Sequence, residues 1–175
     1  MGQTDGAKPG KHKFSFYGGV GPNYYINNLV LSKDLVRPFN YSFVGRFMWE
    51  PEHFLSLGLE SGYYMLYQLT ATQDQTTWHI SNAAVPIQLV VSMKFLKSFY
   101  FNFSFGRSLL LNKVSTSNIG SFDATSFSLA DFTETLGYKI KLKHRFSIGA
   151  EAKFYYASRL EDKNFALVFV GGYNF

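Results

Sequence analysis

The sequence predicts an all-β fold, a closed eight-stranded antiparallel up-and-down barrel that crosses a membrane with its strands. Three observations predict it. Aromatic residues make up 19% of the 175 positions while charged residues make up only 17%, against about 25% charged in ordinary soluble domains. Apolar residues recur at every second position in successive runs, the period of a strand with one apolar face. The connections between runs alternate short and long, as in a meander whose two ends face different compartments. No stretch approaches the ~18 consecutive apolar residues that a membrane-spanning helix requires.

Taken in order, residues 13–27 put Phe14, Phe16, Gly18, Val20, Tyr24 and Ile26 on one face, and Ser15, Tyr17, Gly19, Gly21 and Asn23 on the other. Residues 35–49 set Phe39, Tyr41, Phe43, Phe47 and Trp49 against Asn40, Ser42, Arg46 and Met48. In 54–70, Leu55, Leu57, Leu59, Tyr63, Met65, Tyr67 and Leu69 are expected outward, opposite Ser56, Gly58, Glu60, Gly62 and Gln68, so that Glu60 can meet Arg46. Residues 78–95 alternate Val85, Ile87, Leu89, Val91, Met93 and Phe95 with Gln88, Ser92 and Lys94, and Pro86 is expected to mark a bulge.

The fifth strand, 98–111, is the plainest, because Phe99, Phe101, Phe103 and Phe105 alternate with Tyr100, Asn102, Ser104 and Gly106. In 127–142, Phe132, Leu136, Tyr138, Ile140 and Leu142 oppose Asp131, Thr133, Thr135, Gly137, Lys139 and Lys141; this parity turns Glu134 toward lipid unless a bulge resets it. Residues 146–157 place Phe146, Ile148, Ala150, Ala152, Phe154 and Tyr156 outward, against Ser147, Gly149, Glu151, Lys153 and Tyr155. The last strand, 164–175, does the same with Phe165, Leu167, Phe169, Gly171, Tyr173 and Phe175.

Short turns fall near 50–53, 96–97 and 143–145, whereas the polar connections at 28–34, 71–77, 112–126 and 158–163 are longer. The short turns and both chain ends are expected on the periplasmic side of a Gram-negative outer membrane, the longer loops outside the cell. Residues 1–12 lack the apolar region of a signal peptide and read as a polar leader to a barrel domain at 13–175.

In hydrocarbon every backbone N–H and C=O must be paired, so the sheet must close, with the first strand against the last. An eight-stranded barrel is just wide enough to be filled by its own side chains. Arg46, Glu60, Lys94, Glu151 and Lys153 are therefore expected to form a packed polar network in place of a diffusion pore.

Evidence for chemistry is thin. There is no Cys, and His12, His53 and His144 show no ligand spacing, so no metal or cofactor is expected. The net charge of +5 is scattered and accompanies no nucleic-acid motif. The run His79-Ile80-Ser81-Asn82 is similar to the His-x-Ser-Asn signature of outer-membrane lipid A deacylases, but a hydrolase needs a third group to orient its base. The next acid after Ser81 is Asp123. A lipid A-modifying hydrolase stands as one alternative to a non-enzymatic barrel. The other is a soluble ligand-binding barrel of the lipocalin type, which turns its apolar face inward.

The segment 82–111, NAAVPIQLVVSMKFLKSFYFNFSFGRSLLL, resembles the outer-membrane β-barrel family common in Bacteroidetes that includes PorT-like proteins, small barrels of the OmpX kind; the stretch SIGAEAKFYY at 147–156 resembles it too. The resemblance implies an accessory subunit of an envelope complex for secretion or uptake, set among outer-membrane lipid and lipopolysaccharide. The terminus FALVFVGGYNF is similar to the insertion signal of such barrels. By that resemblance Phe169, Tyr173 and Phe175 are read by the barrel assembly machinery.

Overall fold

Period-2 alternation makes these segments strands, and the computed structural model pairs them into one sheet. It describes residues 13–26, 36–51, 54–73, 76–116, 120–142, 145–159 and 161–175. The segments are β1 (Lys13–Ile26), β2 (Val36–Arg37), β3 (Phe39–Glu50), β4 (Leu55–Gln73), β5 (Thr76–Lys94), β6 (Phe99–Thr116), β7 (Gly120–Phe127), β8 (Asp131–Lys141), β9 (Phe146–Ala157) and β10 (Asp162–Asn174). β2 and β3 are one stave interrupted at Pro38, and β7 and β8 are one stave interrupted at 128–130, so ten segments make eight staves. All pairings are antiparallel, and β1 lies between β3 and β10, which closes the barrel and removes every edge along its wall.

The faces divide inside out. On β6, Phe99, Phe101, Phe103 and Phe105 are 36–54% exposed, whereas Tyr100, Asn102 and Ser104 between them are at most 4% exposed. The other staves repeat this, with Phe14, Phe16, Phe43, Phe47, Leu57, Leu59, Leu89, Leu136, Ile148 and Leu167 all outward. A lipocalin-like arrangement requires the reverse. An apolar outer wall around a polar interior is the arrangement of a barrel in lipid. Near the short-turn end, Phe14 stacks on Phe47 and Phe99 meets Tyr138 at 4.9 Å; toward the other end, Tyr41 stacks on Tyr63 and Phe132 on Tyr156.

Several boundaries and one parity differ from the sequence reading. A bulge between Met65 and Tyr67 shifts the β4–β5 register and reverses β4 beyond it. Leu69 is consequently buried and Tyr67 packs on the interior cluster, where both were expected outward. Pro86 carries no bulge: it stays in register with Ser108 of β6, and the irregularity falls on the neighbouring strand. The expected loop at 112–126 is instead largely strand, since β6 runs to Thr116 and β7 pairs back from Gly120. The expected loop at 71–77 is likewise mostly strand, up to Gln73 and again from Thr76. Glu134 is exposed on the outer wall in unbroken register between Phe103 and Phe154, so no bulge rescues it.

Candidate functional site in the barrel interior

The β3–β4 hairpin register sets Arg46 directly opposite Glu60. β9 supplies Glu151 and Lys153 two residues apart, hence on the same inward face. These four meet in mid-barrel. Arg46 Nη2 donates to Glu151, and Arg46 Nη1 lies 3.4 Å from Glu60 Oε2. Lys153 Nζ lies 2.7 and 2.9 Å from the two Glu60 oxygens and 3.4 Å from Glu151 Oε2. All four are almost completely buried. Two cations and two carboxylates cancel, which is the condition under which buried charges are tolerated.

Aromatic rings complete this layer. The Tyr100 hydroxyl donates to Glu151, and the Arg46 guanidinium stands 5.4 Å from the Tyr17 ring centre and 5.9 Å from that of Tyr100. Two glycines make room for the rings: Tyr100 lies across Gly137 and Tyr17 across Gly172, each the residue opposite it in register. A side chain at either glycine would occupy the ring's place.

Lys94 does not join the quartet. It pairs with Glu50 at the short-turn end, where Ser15 and Tyr17 also donate to Glu50. There Lys139 donates to the Tyr17 hydroxyl at 2.6 Å and sits over the Tyr17 and Tyr100 rings. Tyr17, Glu50, Tyr100 and Lys139 were not singled out by sequence; inward parity together with a polar tip was the available signal.

Above the quartet the interior is apolar and then acidic. Tyr64 stacks on Tyr155 with centroids 5.1 Å apart, among Leu66, Leu110 and Val168. Next, Asp131 accepts from Ser128, from the Tyr155 hydroxyl at 3.1 Å and from the Ser158 backbone N–H at 3.0 Å. Asp162 accepts from Tyr25. The quartet and the two acids above it are closed to solvent, whereas at the short-turn end Lys94 is 26% and Glu50 13% exposed.

On the outer wall beyond the bulge, His79 and Ser81 share a face with Thr70, Lys113 and Ser115. His79 Nδ1 is 3.0 Å from Thr70 Oγ1, and no acid bonds it among the described residues. Asp123 lies in register with Lys113, which separates it from Ser81. The groups of a hydrolase are therefore not assembled here. At the chain end, Tyr173 packs edge-on against Phe146 and Phe175, and the Phe175 N–H donates to Phe14 O at 2.9 Å; Phe169 is 71% exposed on the same wall. The leader and His12, His53 and His144 lie outside the described residues. Among the described residues no three His, Cys, Asp or Glu side chains are grouped to hold a metal.

No family model and no curated protein matches the sequence. Solved structures do match in fold. Ail, the attachment invasion locus protein of Yersinia pestis, crystallised in complex with the heparin analogue sucrose octasulfate, aligns with a TM-score of 0.58 at 13% identity over 94% of this chain and 99% of its own. Neisserial surface protein A aligns at 0.56 and 11% identity, covering 93% of this chain and 97% of its own. The N-terminal β-barrel domain of Pseudomonas aeruginosa OprF aligns at 0.50 and 12% identity, with the same coverage. The chain is thus similar to small closed antiparallel barrels along nearly its whole length, and at these identities the likeness is one of fold.

Proposed function

We propose that this chain is an integral barrel of the Gram-negative outer membrane that acts as a non-enzymatic surface or scaffold protein, or as an accessory subunit of an envelope complex for secretion or uptake. The observation that carries this reading is the neutral, buried quartet of Arg46, Glu60, Glu151 and Lys153, which fills the middle of the barrel in place of a water-filled bore. A barrel plugged by its own ion pairs offers its wall and its ends to partners. One end is unusually extended: β4 to β7 continue past the aromatic belt as a sheet whose outward face carries Thr70, His79, Ser81, Lys113 and Asp123.

The finer assignment, to the Bacteroidetes barrels that include PorT-like proteins, rests on the 82–111 and 147–156 segments. Insertion through Phe169, Tyr173 and Phe175 by the barrel assembly machinery, in a surround of lipopolysaccharide, belongs to the same proposal. The test is fractionation of expressing cells with heat-modifiable gel migration, followed by conductance in planar bilayers. The expected result is a detergent-requiring outer-membrane protein without porin-like conductance. A water-soluble monomer, or open-channel conductance of wild-type protein, overturns the proposal.

A further inference from the structure

The acidic layer above the quartet differs from the rest of the interior in having no counter-charge. Asp131 is 0% and Asp162 3% exposed, and neither forms an ion pair with a described residue. Lys153 and Arg46, the described cations of the mid-barrel interior, are committed to Glu60 and Glu151, below the intervening Tyr64–Tyr155 layer. Two carboxylates buried without a cation are costly to hold ionised.

The register shows how they are placed. Asp131 on β8 and Asp162 on β10 are both paired with Ala157 on β9, so they face the interior from either side of a residue with no side chain beyond Cβ. Their Cα atoms are two strand spacings apart, about 9.5 Å. With both side chains turned inward from that spacing, one ion with oxygen contacts of about 2.4 Å would bridge the two carboxylates.

A second observation concerns the amide beside the acids. Asn164, the next inward residue of β10, is wholly buried, and both its side-chain nitrogen and oxygen lack a partner; Asp162 Oδ2 lacks one as well. Asn164 lies in register between Tyr25 and Tyr155, whose hydroxyls reach Asp162 and Asp131 respectively. Unsatisfied buried oxygens of this kind signal a missing water or ion.

The geometry points to a cation site between Asp131 and Asp162, with Asn164 beneath, that takes a hard divalent ion of the Ca²⁺ type. Every donor in the layer is oxygen, from carboxylate, amide, phenol or hydroxyl, the set that suits Ca²⁺ over softer metals. Two carboxylates balance its charge. A site with only two acidic ligands belongs to the weak class, with Kd of about 10⁻⁴ to 10⁻³ M. The site ties β8 to β10 across β9, and so braces the end of the barrel from which the long β6–β7 hairpin projects.

The test uses the full chain folded in a non-ionic detergent, with folding checked by heat-modifiable migration. Tyr25 and Tyr155 beside the site should sensitise Tb³⁺ luminescence, displaced by Ca²⁺ in the stated concentration range and weakened at least tenfold by Asp131→Asn or Asp162→Asn. Glu134→Gln, an acid of the outer wall, should leave it unchanged. Independently, 10 mM Ca²⁺ should lower the unfolding equilibrium constant of wild type about tenfold to hundredfold, a readout that needs no variant to fold. Luminescence indifferent to both Asp substitutions overturns the site. So does wild-type stability that responds to acidification but not to Ca²⁺, which would assign protons to the two acids instead.

Discussion

Lys153→Met tests the ion-pair plug most severely. The ammonium is fully buried and lies within 3.4 Å of three carboxylate oxygens from Glu60 and Glu151. Methionine keeps most of the volume but leaves Arg46 to balance two buried carboxylates, an excess of one negative charge. Breaking a buried pair by removing one partner costs about 3–5 kcal/mol, whereas an exposed pair is worth about 0.2–1 kcal/mol. The double variant Lys153→Met with Glu60→Leu restores neutrality, with Arg46 and Glu151 still joined, and should lie within about 1 kcal/mol of wild type. The assay is urea-titrated folding into phospholipid vesicles, followed by fluorescence of Trp49 and Trp78. A single variant costing less than about 1 kcal/mol, or a double variant costing the sum of its two singles, would refute a desolvated, mutually dependent quartet.

The remaining expectations follow from the wall and its glycines. Gly137→Ala puts a Cβ into the Tyr100 ring and should cost about 1–3 kcal/mol by overpacking, while Gly45→Ala on the outer wall, where nothing lies within 4 Å, should be close to neutral; urea titration of the two distinguishes ring accommodation from a general need for glycine. Glu134→Leu removes an acid from the lipid-facing wall at the level of Phe103 and Phe154 and should stabilise by up to about 2 kcal/mol, since a lipid-facing charge costs most toward the middle of the bilayer and an acid less than a base; a loss of stability would mean that Glu134 has a partner. Phe175→Ala should slow assembly in cells, read as accumulation of unfolded precursor, while folding into vesicles in vitro stays within a few-fold of wild type; equal defects in both assays would make Phe175 a packing residue only.

The legible part of this fold was the part under the strongest physical constraint. Within the apolar belt nearly all outward positions are apolar and many inward ones small or polar, so Phe99 to Gly106 reads its own orientation, and Arg46 and Glu60 fall opposite each other from hairpin register alone. The bulge at Leu66 left no trace because the run Tyr63 to Tyr67 is apolar or aromatic on both parities. The β6–β7 extension read as a loop because both faces of a sheet beyond the membrane are wet and polar; Val114, Thr116 and Thr125 were its strand-like residues. Asp162 falls in the polar stretch 158–163 by composition, yet it shares the parity of Asn164, Ala166 and Val168, and the alternation extended back by one rung carries it inside. Lys94 shares inward parity with the central charges, but parity fixes the face of a residue and not its height, and its height brings it to Glu50.

The central claim is that the aromatic ladder of β6 faces lipid while the residues between it face a closed interior. Because the chain has no Cys, single spin labels at Phe103→Cys and Ser104→Cys in vesicles measure this directly through their accessibility to oxygen and to a water-soluble nickel chelate. The label at 103 should be relaxed strongly by oxygen and hardly by nickel, and the label at 104 weakly by both, because Ser104 is 0% exposed. Nickel access at 103, or strong oxygen access at 104 with the barrel folded, would contradict it.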